Sequence, residues 1–215
     1  MIAILALKSN VEDKTREIGD SLLGLLGEDT IVRLADGGKT TVAEVAGVEV
    51  KVSRRDHSIP SELLEGPLEA AWYWPEAQEH LSAHRSHLVV ICQKSSDQDE
   101  GSADVEGEAE KDVPAAGVSE IEEVTTPPRL DASEISHAVQ RSLLLTRVTQ
   151  VLGKAFGAIG VYWDSSTSLH SWGAFEESCN SMTPDRLPLR IWIDFRLWEA
   201  TDGTRGLATR GLCAL

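Results

Sequence analysis

The sequence predicts an α+β fold, with a single mixed, partly antiparallel sheet and helices mainly on one face. Short apolar runs of strand length alternate with segments of helical periodicity. Turn signals at Asp36–Gly38 and at Asp202 with Gly203 lie between strand patterns, which indicates a hairpin early and another late in the chain. Mixed strands and helices with hairpins are typical of α+β domains, and 215 residues with 41% hydrophobic content suffice for one core.

The N-terminal part supplies a central strand, a helix and a set of antiparallel strands. The apolar run Ile2–Leu7 predicts a strand buried on both faces in the middle of the sheet. A helix is expected next, capped by Ser9 or Asn10 and ending near Gly27. Strands are then predicted at "TIVRLA", at "TTVAEV" and over 48–52, where valines alternate with charged residues.

The next segment combines a predicted loop with an aromatic helix. The stretch Arg54–Pro67 contains two prolines and Gly66, which predicts a loop. Apolar residues and one histidine then recur at helical spacing, which predicts one helix face directed at the core. These residues are Ala70, Trp74, Ala77, Leu81 and His84. Pro75 is tolerated if it lies in the first turn of its own helix, and otherwise it kinks a helix that begins near Pro67. The short apolar run "HLVVICQ" predicts the following strand.

A disordered acidic insert is predicted over 94–133, inside one domain formed by 1–93 and 134–215. It has no aromatic residue, and between Asp97 and Glu123 eleven acidic residues accompany one lysine, a net charge of −10. Such a composition cannot bury enough apolar surface to offset the entropy of ordering. We expect a tolerated surface loop; a regulatory tail or a mimic of nucleic acid is the alternative.

The C-terminal part predicts a helix over Ile135–Phe156 and a strand over Ala158–Trp163. An irregular segment with one helical turn around Phe175 follows. Strict alternation over Leu187–Trp198 predicts the clearest strand of the chain. Its core side would hold Leu189, Ile191, Ile193, Phe195 and Leu197, and its outward side Arg190, Trp192, Asp194, Arg196 and Trp198.

Three stretches together resemble a bacterial family called domain of unknown function 4261. They are "LEGPLEAAWYWPEAQEHLSAHRSHLVVI", "LLLTRVTQVLGKAFGAIGVYW" and "LPLRIWIDFRLWEATDGTRGLATRGL". The likeness covers nearly all of the chain apart from roughly 94–133, and family members usually run a little further than "GLCAL". The resemblance implies the fold and the order of the helices and strands. It implies no activity for this chain, because none is established for the family. Its relatives among small bacterial immunity-like proteins suggest an immunity-like role.

Composition disfavours several classes of protein. A net charge of −15 repels phosphate backbones, so we expect no nucleic-acid partner. No apolar run approaches a membrane span, and no signal-peptide pattern is present, so we expect no membrane contact. Three scattered cysteines without a C-x-x-C pair indicate a reducing compartment, hence a cytoplasmic location. No nucleophile, phosphate-loop, zinc-protease or dinucleotide motif is present, so no cofactor is predicted.

A metal site is the first candidate in the aromatic segment. His80, His84 and His87 are spaced i, i+4 and i+7, and Glu76 could add an oxygen ligand. Against this, His84 lies on the apolar stripe, where a hydrogen-bonded core histidine is the simpler interpretation. The helix also has to end before His87, which begins a strand. We therefore expect no metal at these residues.

The sequence favours a protein-interaction module, immunity-like or adaptor in role, with a basic protein partner. Its predicted contact residues are large amphipathic groups that commonly anchor interfaces. They are Trp72, Arg190, Trp192, Arg196 and Trp198. For the row on Leu187–Trp198, the alternative is a sheet face covered by helices, with Asp194 paired to an arginine on a neighbouring strand. The alternative function is a small hydrolase-like enzyme that uses His84 and Glu76 beside a pocket walled by Trp72, Trp74 and Trp163. Burial of Trp74 and Trp163 in the core is favoured over such a wall. The oligomeric state is left open.

Overall fold

The computed structural model describes residues 1–11, 14–27, 29–95 and 132–211. The strands are β1 (Ile2–Leu7), β2 (Ile31–Ala35), β3 (Thr40–Val45), β4 (Val48–Arg55), β5 (Ser86–Lys94), β6 (Ala158–Trp163), β7 (Ser168–Ser171), β8 (Asp194–Glu199) and β9 (Arg205–Arg210). The helices are α1 (Thr15–Leu26), α2 (Ser61–Ala70), α3 (Ala77–Ser82), α4 (Ala132–Phe156), α5 (Trp172–Asn180) and α6 (Leu189–Trp192).

Seven strands form the main sheet in the order β2-β3-β4-β5-β1-β6-β7, and each neighbouring pair is antiparallel. The predicted α+β class with one main sheet is confirmed. The apolar strand β1 lies between β5 and β6 and is buried almost throughout, as its unbroken hydrophobicity predicted. Strands β8 and β9 form a separate two-stranded ribbon.

Hydrophobic residues cover the sheet on both faces, in two clusters of unequal size. Alternate residues of β1 separate them, because Leu5 and Leu7 point to one face and Ile4 and Ala6 to the other. Helices α1, α4 and α5 pack over the larger cluster. Helices α2 and α3 contact β7 and β6 and cover the smaller cluster, which includes Trp74.

The beginning of α1 differs from its prediction. The helix begins at Thr15, with Lys14 as its cap residue and no capping side chain. Ser9 and Asn10 precede that point, and the Ser9 carbonyl accepts a hydrogen bond from Ser86 Oγ at 2.5 Å. The connection between β1 and α1 is therefore longer than predicted, and buried Val11 packs into the core within it.

The region 54–84 differs from its prediction. The predicted loop contains the end of β4 and the helix α2, which includes Pro67. Tight turns over 71–76 separate α2 from α3, and α3 begins after Pro75 and is only six residues long. Pro75 therefore lies neither in the first turn of a helix nor at a kink of a continuous one. Pro75 explains the break, because proline disfavours helical geometry in the residue before it, here Trp74. The stripe still faces inward, since Trp74, Ala77 and Leu81 are buried.

The segment after β6 is more regular than predicted. Residues 168–171 form β7, the edge strand of the main sheet, and α5 follows directly. Ser171 caps α5, because its Oγ accepts a hydrogen bond from the Ala174 N–H at 3.3 Å. Phe175 and Cys179, one turn apart on α5, are fully buried.

The predicted strand over Leu187–Trp198 is wrong in its first half. Pro188 precedes the short helix α6, and β8 begins only at Asp194. Three consecutive residues, Ile191, Trp192 and Ile193, are buried, which the alternation of a strand does not allow. The burial of these three side chains in the core therefore determines the local structure here, and the alternation of residue types does not.

The predicted insert over 94–133 lies almost entirely outside the described residues. Lys94 still belongs to β5, and α4 begins at Ala132, so both predicted boundaries shift by one or two residues. No helix in the described ranges is long and apolar enough to cross a membrane.

Candidate functional site

His84 is a structural residue and not an exposed acid or base. It is 8% exposed, and its Nε2 accepts a hydrogen bond from the Ile59 N–H at 2.6 Å. Nδ1 must then carry the proton, which it donates to the Leu81 carbonyl. Both nitrogens are engaged by the backbone, whereas Glu76 is exposed at the start of α3. No hydrogen bond joins the two side chains among the described residues, so the predicted acid/base pair is not formed.

The three histidines proposed as metal ligands do not converge. His80 is exposed on α3 and contacts the Trp74 ring edge-to-face, with centroids 5.9 Å apart. His87 lies in β5, where its Nδ1 donates to the His57 carbonyl at 2.8 Å. Within the described ranges, no group of three His, Cys, Asp or Glu side chains could hold a metal ion.

The proposed tryptophan wall is also absent. Trp74 and Trp163 are buried in opposite clusters of the core, while Trp72 is 83% exposed. Trp192, predicted as a contact residue on the outward face, is 0% exposed, and its Nε1 donates to Thr146 Oγ1 at 2.9 Å. A surface role for Trp192 is therefore wrong.

The described cysteines are buried free thiols. Burial raises the pKa of Cys92 and of Cys179 to about 12, so neither forms a thiolate at neutral pH. They act as small apolar side chains of the larger cluster. Cys213 lies outside the described residues.

A cleft of about 760 Å³ opens at the β7 edge of the sheet, between α5 and β8. We call it the His170 cleft. It is lined by Trp72, Tyr73, His170, Ala174, Glu177, Ser178, Ser181, Arg186, Leu187, Pro188, Leu189, Arg190, Ile193, Asp194 and Phe195. Its volume is in the range of ligand pockets, and its lining mixes aromatic, apolar and charged groups. Two predicted contact residues, Trp72 and Arg190, thus lie on one site.

The floor of the cleft carries a buried imidazole. His170 is 8% exposed, and its Nε2 is 2.9 Å from Ser168 Oγ, which in turn is 2.6 Å from Ser166 Oγ. Ser166 Oγ donates to the Ile191 carbonyl at 3.0 Å. Nδ1 of His170 has no partner among the described residues. Burial lowers the pKa of His170 to about 4, partly offset by the Asp194 carboxylate, so the ring is neutral at pH 7.

A serine next to an imidazole can be a nucleophile, but Ser168 is not placed as one. It is 5% exposed and does not line the cleft. A nucleophile must reach a substrate carbonyl, and this hydroxyl is held inside a buried chain of hydrogen bonds. The hydrogen-bonded serines therefore hold the His170 ring in position at the cleft.

Tyr73 covers His170 from the side of the α2–α3 turn. The two rings are stacked with centroids 5.9 Å apart and planes at 25°. Burial raises the pKa of the Tyr73 phenol, an effect that a backbone hydrogen bond from Leu169 partly offsets. Trp72 packs edge-on against Tyr73 at 5.6 Å and extends the aromatic wall to the solvent.

Two guanidinium groups on the cleft lack ion pairs. Arg186 and Arg190 are exposed, and neither side chain has a hydrogen-bonded or ionic partner in the described ranges. Asp194 is already bound by Arg196 at 2.5 Å. Glu177 is the remaining carboxylate of the lining, so the unpaired charge of the cleft is positive.

The ribbon beside the cleft presents an apolar outer face. Phe195, Leu197 and Leu207 form what we call the ribbon patch, and Leu197 lies directly opposite Leu207 in the pairing. Leu197 is 86% exposed, and the other two are more than half exposed. Phe195 also lines the His170 cleft, so the patch and the cleft are continuous.

The opposite face of the ribbon carries Arg196 and Trp198, two of the predicted contact residues. The Trp198 ring lies over Gly206, where an added Cβ would be 2.3 Å from ring carbons. Arg196 and Arg210 line a groove shared with α2, and Arg210 donates to Thr167 Oγ1 at 3.2 Å. This face therefore turns toward the rest of the protein, although Trp198 is half exposed.

Sequence reasoning missed Tyr73, His170 and the ribbon patch. It assigned Phe195 and Leu197 to the core side of a long strand, because their alternation alone cannot tell which side is covered. The Asp202-Gly203 turn was the available signal, since it predicts a two-stranded hairpin and a hairpin can leave one of its faces uncovered. Comparisons of the chain with protein-family models, with curated proteins and with solved structures found no match, so the family resemblance remains a prediction.

Proposed function

We propose that this protein is a protein-interaction module that binds a partner chain through the ribbon patch and the adjoining His170 cleft. The observation that carries the proposal is the exposure of Phe195, Leu197 and Leu207 on a two-stranded ribbon. Contiguous exposed apolar surface on a folded protein commonly marks an interaction site.

The distribution of exposed hydrophobic groups supports this choice of surface. Of the eleven exposed large hydrophobic side chains in the described ranges, six lie on the ribbon patch or line the cleft. They are Trp72, Tyr73, Leu189, Phe195, Leu197 and Leu207. Scattered single hydrophobic groups need no explanation, but a concentration of this kind does.

The ribbon also offers unpaired strand edges. Among the described strands, β8 pairs only with β9, so each has one edge free to bond an added strand. Its charges are largely satisfied internally, through Asp194 with Arg196 and Glu199 with Arg205. A partner that adds a strand would extend the hydrogen-bonded ladder of this two-stranded ribbon.

The immunity-like or adaptor role predicted from the sequence is the form of interaction that we propose. The basic partner predicted from the sequence rests on the acidic character of the chain, whose net charge is −15. The lining of the His170 cleft, in contrast, carries two arginines without ion pairs in the described ranges.

The test uses a random peptide library displayed on phage and selected against the full chain. Selected peptides are expected to lose at least about tenfold in affinity for the L197D/L207D variant, because a charge replaces each apolar contact. The matched control is L34D on β2, since Leu34 is as exposed as Leu207 but lies on the far edge of the main sheet.

Unchanged unfolding temperatures of both variants would establish that the fold is intact. Failure of the library to yield any binder, or equal loss of binding by L34D, would contradict the proposal.

A further inference from the structure

We infer that the His170 cleft binds an acidic segment of the partner chain, with an aromatic or apolar side chain held beside carboxylates. This inference rests on the proposed function, for which it specifies the chemistry of the partner. It assigns a ligand class to a cleft that differs in charge from the chain as a whole, whose net charge is −15.

Charge complementarity is the first argument. Arg186 and Arg190 lie on the same cleft without ion pairs in the described ranges, although the chain as a whole is strongly acidic. Arginine pairs with carboxylates through two parallel hydrogen bonds, so two free guanidinium groups can each hold one carboxylate. Glu177 opposes them with one negative charge, whereas Asp194 is neutralised by Arg196.

The floor of the cleft gives an independent argument for a ligand. The His170 ring is more than nine-tenths buried and lines the cleft, and its Nδ1 has no partner in the described structure. Because Nε2 is hydrogen-bonded to Ser168, Nδ1 remains available to a polar group, such as a peptide N–H, that enters the cleft.

The walls favour an aromatic or apolar side chain next to the carboxylates. Tyr73 and Phe195 stand on two sides of the cleft, and Ile193 contributes an apolar surface between β8 and α6. A peptide with an aromatic residue flanked by acidic residues would thus meet apolar walls and a cationic rim together.

The test measures binding of two fluorescein-labelled peptide pools by fluorescence polarisation. Both pools carry the same central aromatic residue, flanked by Asp and Glu in one and by Lys and Arg in the other. We expect the full chain to bind the acidic pool about tenfold more tightly, and added salt to weaken this binding because the rim is solvent-exposed.

Three variants locate the effect. R186E/R190E is expected to reverse the preference between pools, and E177Q to strengthen acidic-pool binding about twofold, since it removes one repulsive charge. The control R85E changes an exposed arginine outside the cleft and leaves both affinities unchanged. Imidazole nitrogen NMR signals of His170 are expected to shift with the acidic pool and to stay fixed with the basic pool.

Preference for the basic pool, or insensitivity of acidic-pool binding to R186E/R190E, overturns the inference. If L197D/L207D loses binding but R186E/R190E binds the acidic pool as tightly as the wild type, the proposed interaction surface stands. Only the inferred acidic character of the partner segment is then contradicted. Absence of any library-selected binder removes the proposed function itself.

Discussion

The imidazole of His84 joins the C-terminal end of α3 to the chain that precedes α2. It accepts from the Ile59 N–H, and Ile59 is itself 4% exposed in the smaller core cluster. The pattern of the sequence placed His84 on the buried face correctly, but it could not identify the backbone groups that the two nitrogens contact. The Ile59 N–H lies just before α2, a helix within a segment that the sequence predicted as a loop.

Replacement of His84 by Leu is expected to reduce the free energy of unfolding by about 1–3 kcal/mol, because the buried Ile59 N–H loses its acceptor. The control H80L changes an exposed ring and should have an effect of less than about 0.5 kcal/mol. Urea unfolding at pH 7 measures both. An H84L variant as stable as the wild type would contradict this structural role.

His170 makes stability depend on pH through its lowered pKa. The folded protein holds the ring neutral down to about pH 4, whereas the unfolded chain takes up a proton near the ordinary value of 6.5. The unfolded state therefore binds more protons between these values, and stability falls as pH decreases through this window. His87, whose pKa burial also lowers, contributes in the same direction.

Each proton that the unfolded chain binds and the folded protein does not bind lowers the free energy of unfolding by up to about 1.4 kcal/mol per pH unit. For His170 we therefore expect the free energy of unfolding to fall by about 1–2 kcal/mol between pH 6.5 and pH 5. The variant H170Q should lose this part of the slope, while H87Q should retain it. Urea titrations at several pH values provide the measurement. Equal slopes for H170Q and the wild type would show that His170 is not held neutral.

At the scale of elements, predictions succeeded where local pattern and tertiary environment agreed. The strands β1 and β6 and the helix α4 each carry a pattern that matches their burial. Predictions failed near prolines: Pro67 lies inside α2, Pro75 interrupts the aromatic helix, and Pro188 precedes α6. A proline limits local geometry, but whether a helix continues, stops or starts there depends on packing.

Helix α4 shows one such packing constraint at Gly153. An added Cβ would lie 2.1 Å from Trp172 Cζ3 and 2.9 Å from the Leu5 side chain. Trp172 cannot move freely, because it stacks on the buried ring of Phe175 at 5.8 Å. The glycine therefore lets α4 approach both β1 and α5.

G153A is expected to lower the free energy of unfolding by about 1–2 kcal/mol, since overpacking outweighs the gain in helix propensity. The matched control is G24A in α1, where nothing lies within 4 Å of the added Cβ. The free energy of unfolding of G24A should rise by up to about 1 kcal/mol, because alanine has a higher helix propensity than glycine. Thermal unfolding of the pair would contradict the packing argument if both variants were stabilised.

The candidate site could be predicted only in part, for reasons of the same kind. Trp72 and Arg190 were named because their residue types anchor interfaces, and both line the His170 cleft. His170 was not named, since a lone histidine in an irregular segment carries no signal of its own. The cleft is assembled from segments about a hundred residues apart, and no local pattern records that assembly.

At the scale of the whole molecule, the charge is distributed unevenly along the chain. The sequence predicts that the stretch 97–123, which has no aromatic residue, buries too little apolar surface to join the core. That stretch nevertheless carries −10 of the net charge of −15. Its contribution to the stability of the fold is therefore expected to be electrostatic and weak at physiological salt.

Replacement of 97–123 by an uncharged Gly-Ser segment of equal length is expected to change the unfolding temperature by less than about 3 °C, which corresponds to about 1 kcal/mol for a chain of this size. Differential scanning calorimetry at physiological and at low salt measures the shift. A decrease of more than about 6 °C at physiological salt would show that the stretch packs against the folded part.

The central position of β1 has a consequence for biosynthesis. Its two neighbours, β5 and β6, are encoded far downstream, so β1 leaves the ribosome long before Trp163 does. Until then an apolar strand remains open on at least one edge, the kind of segment that chaperones protect and that aggregates when unprotected. Completion of the sheet is thus a late translational event, and overly rapid expression should favour inclusion bodies over native product.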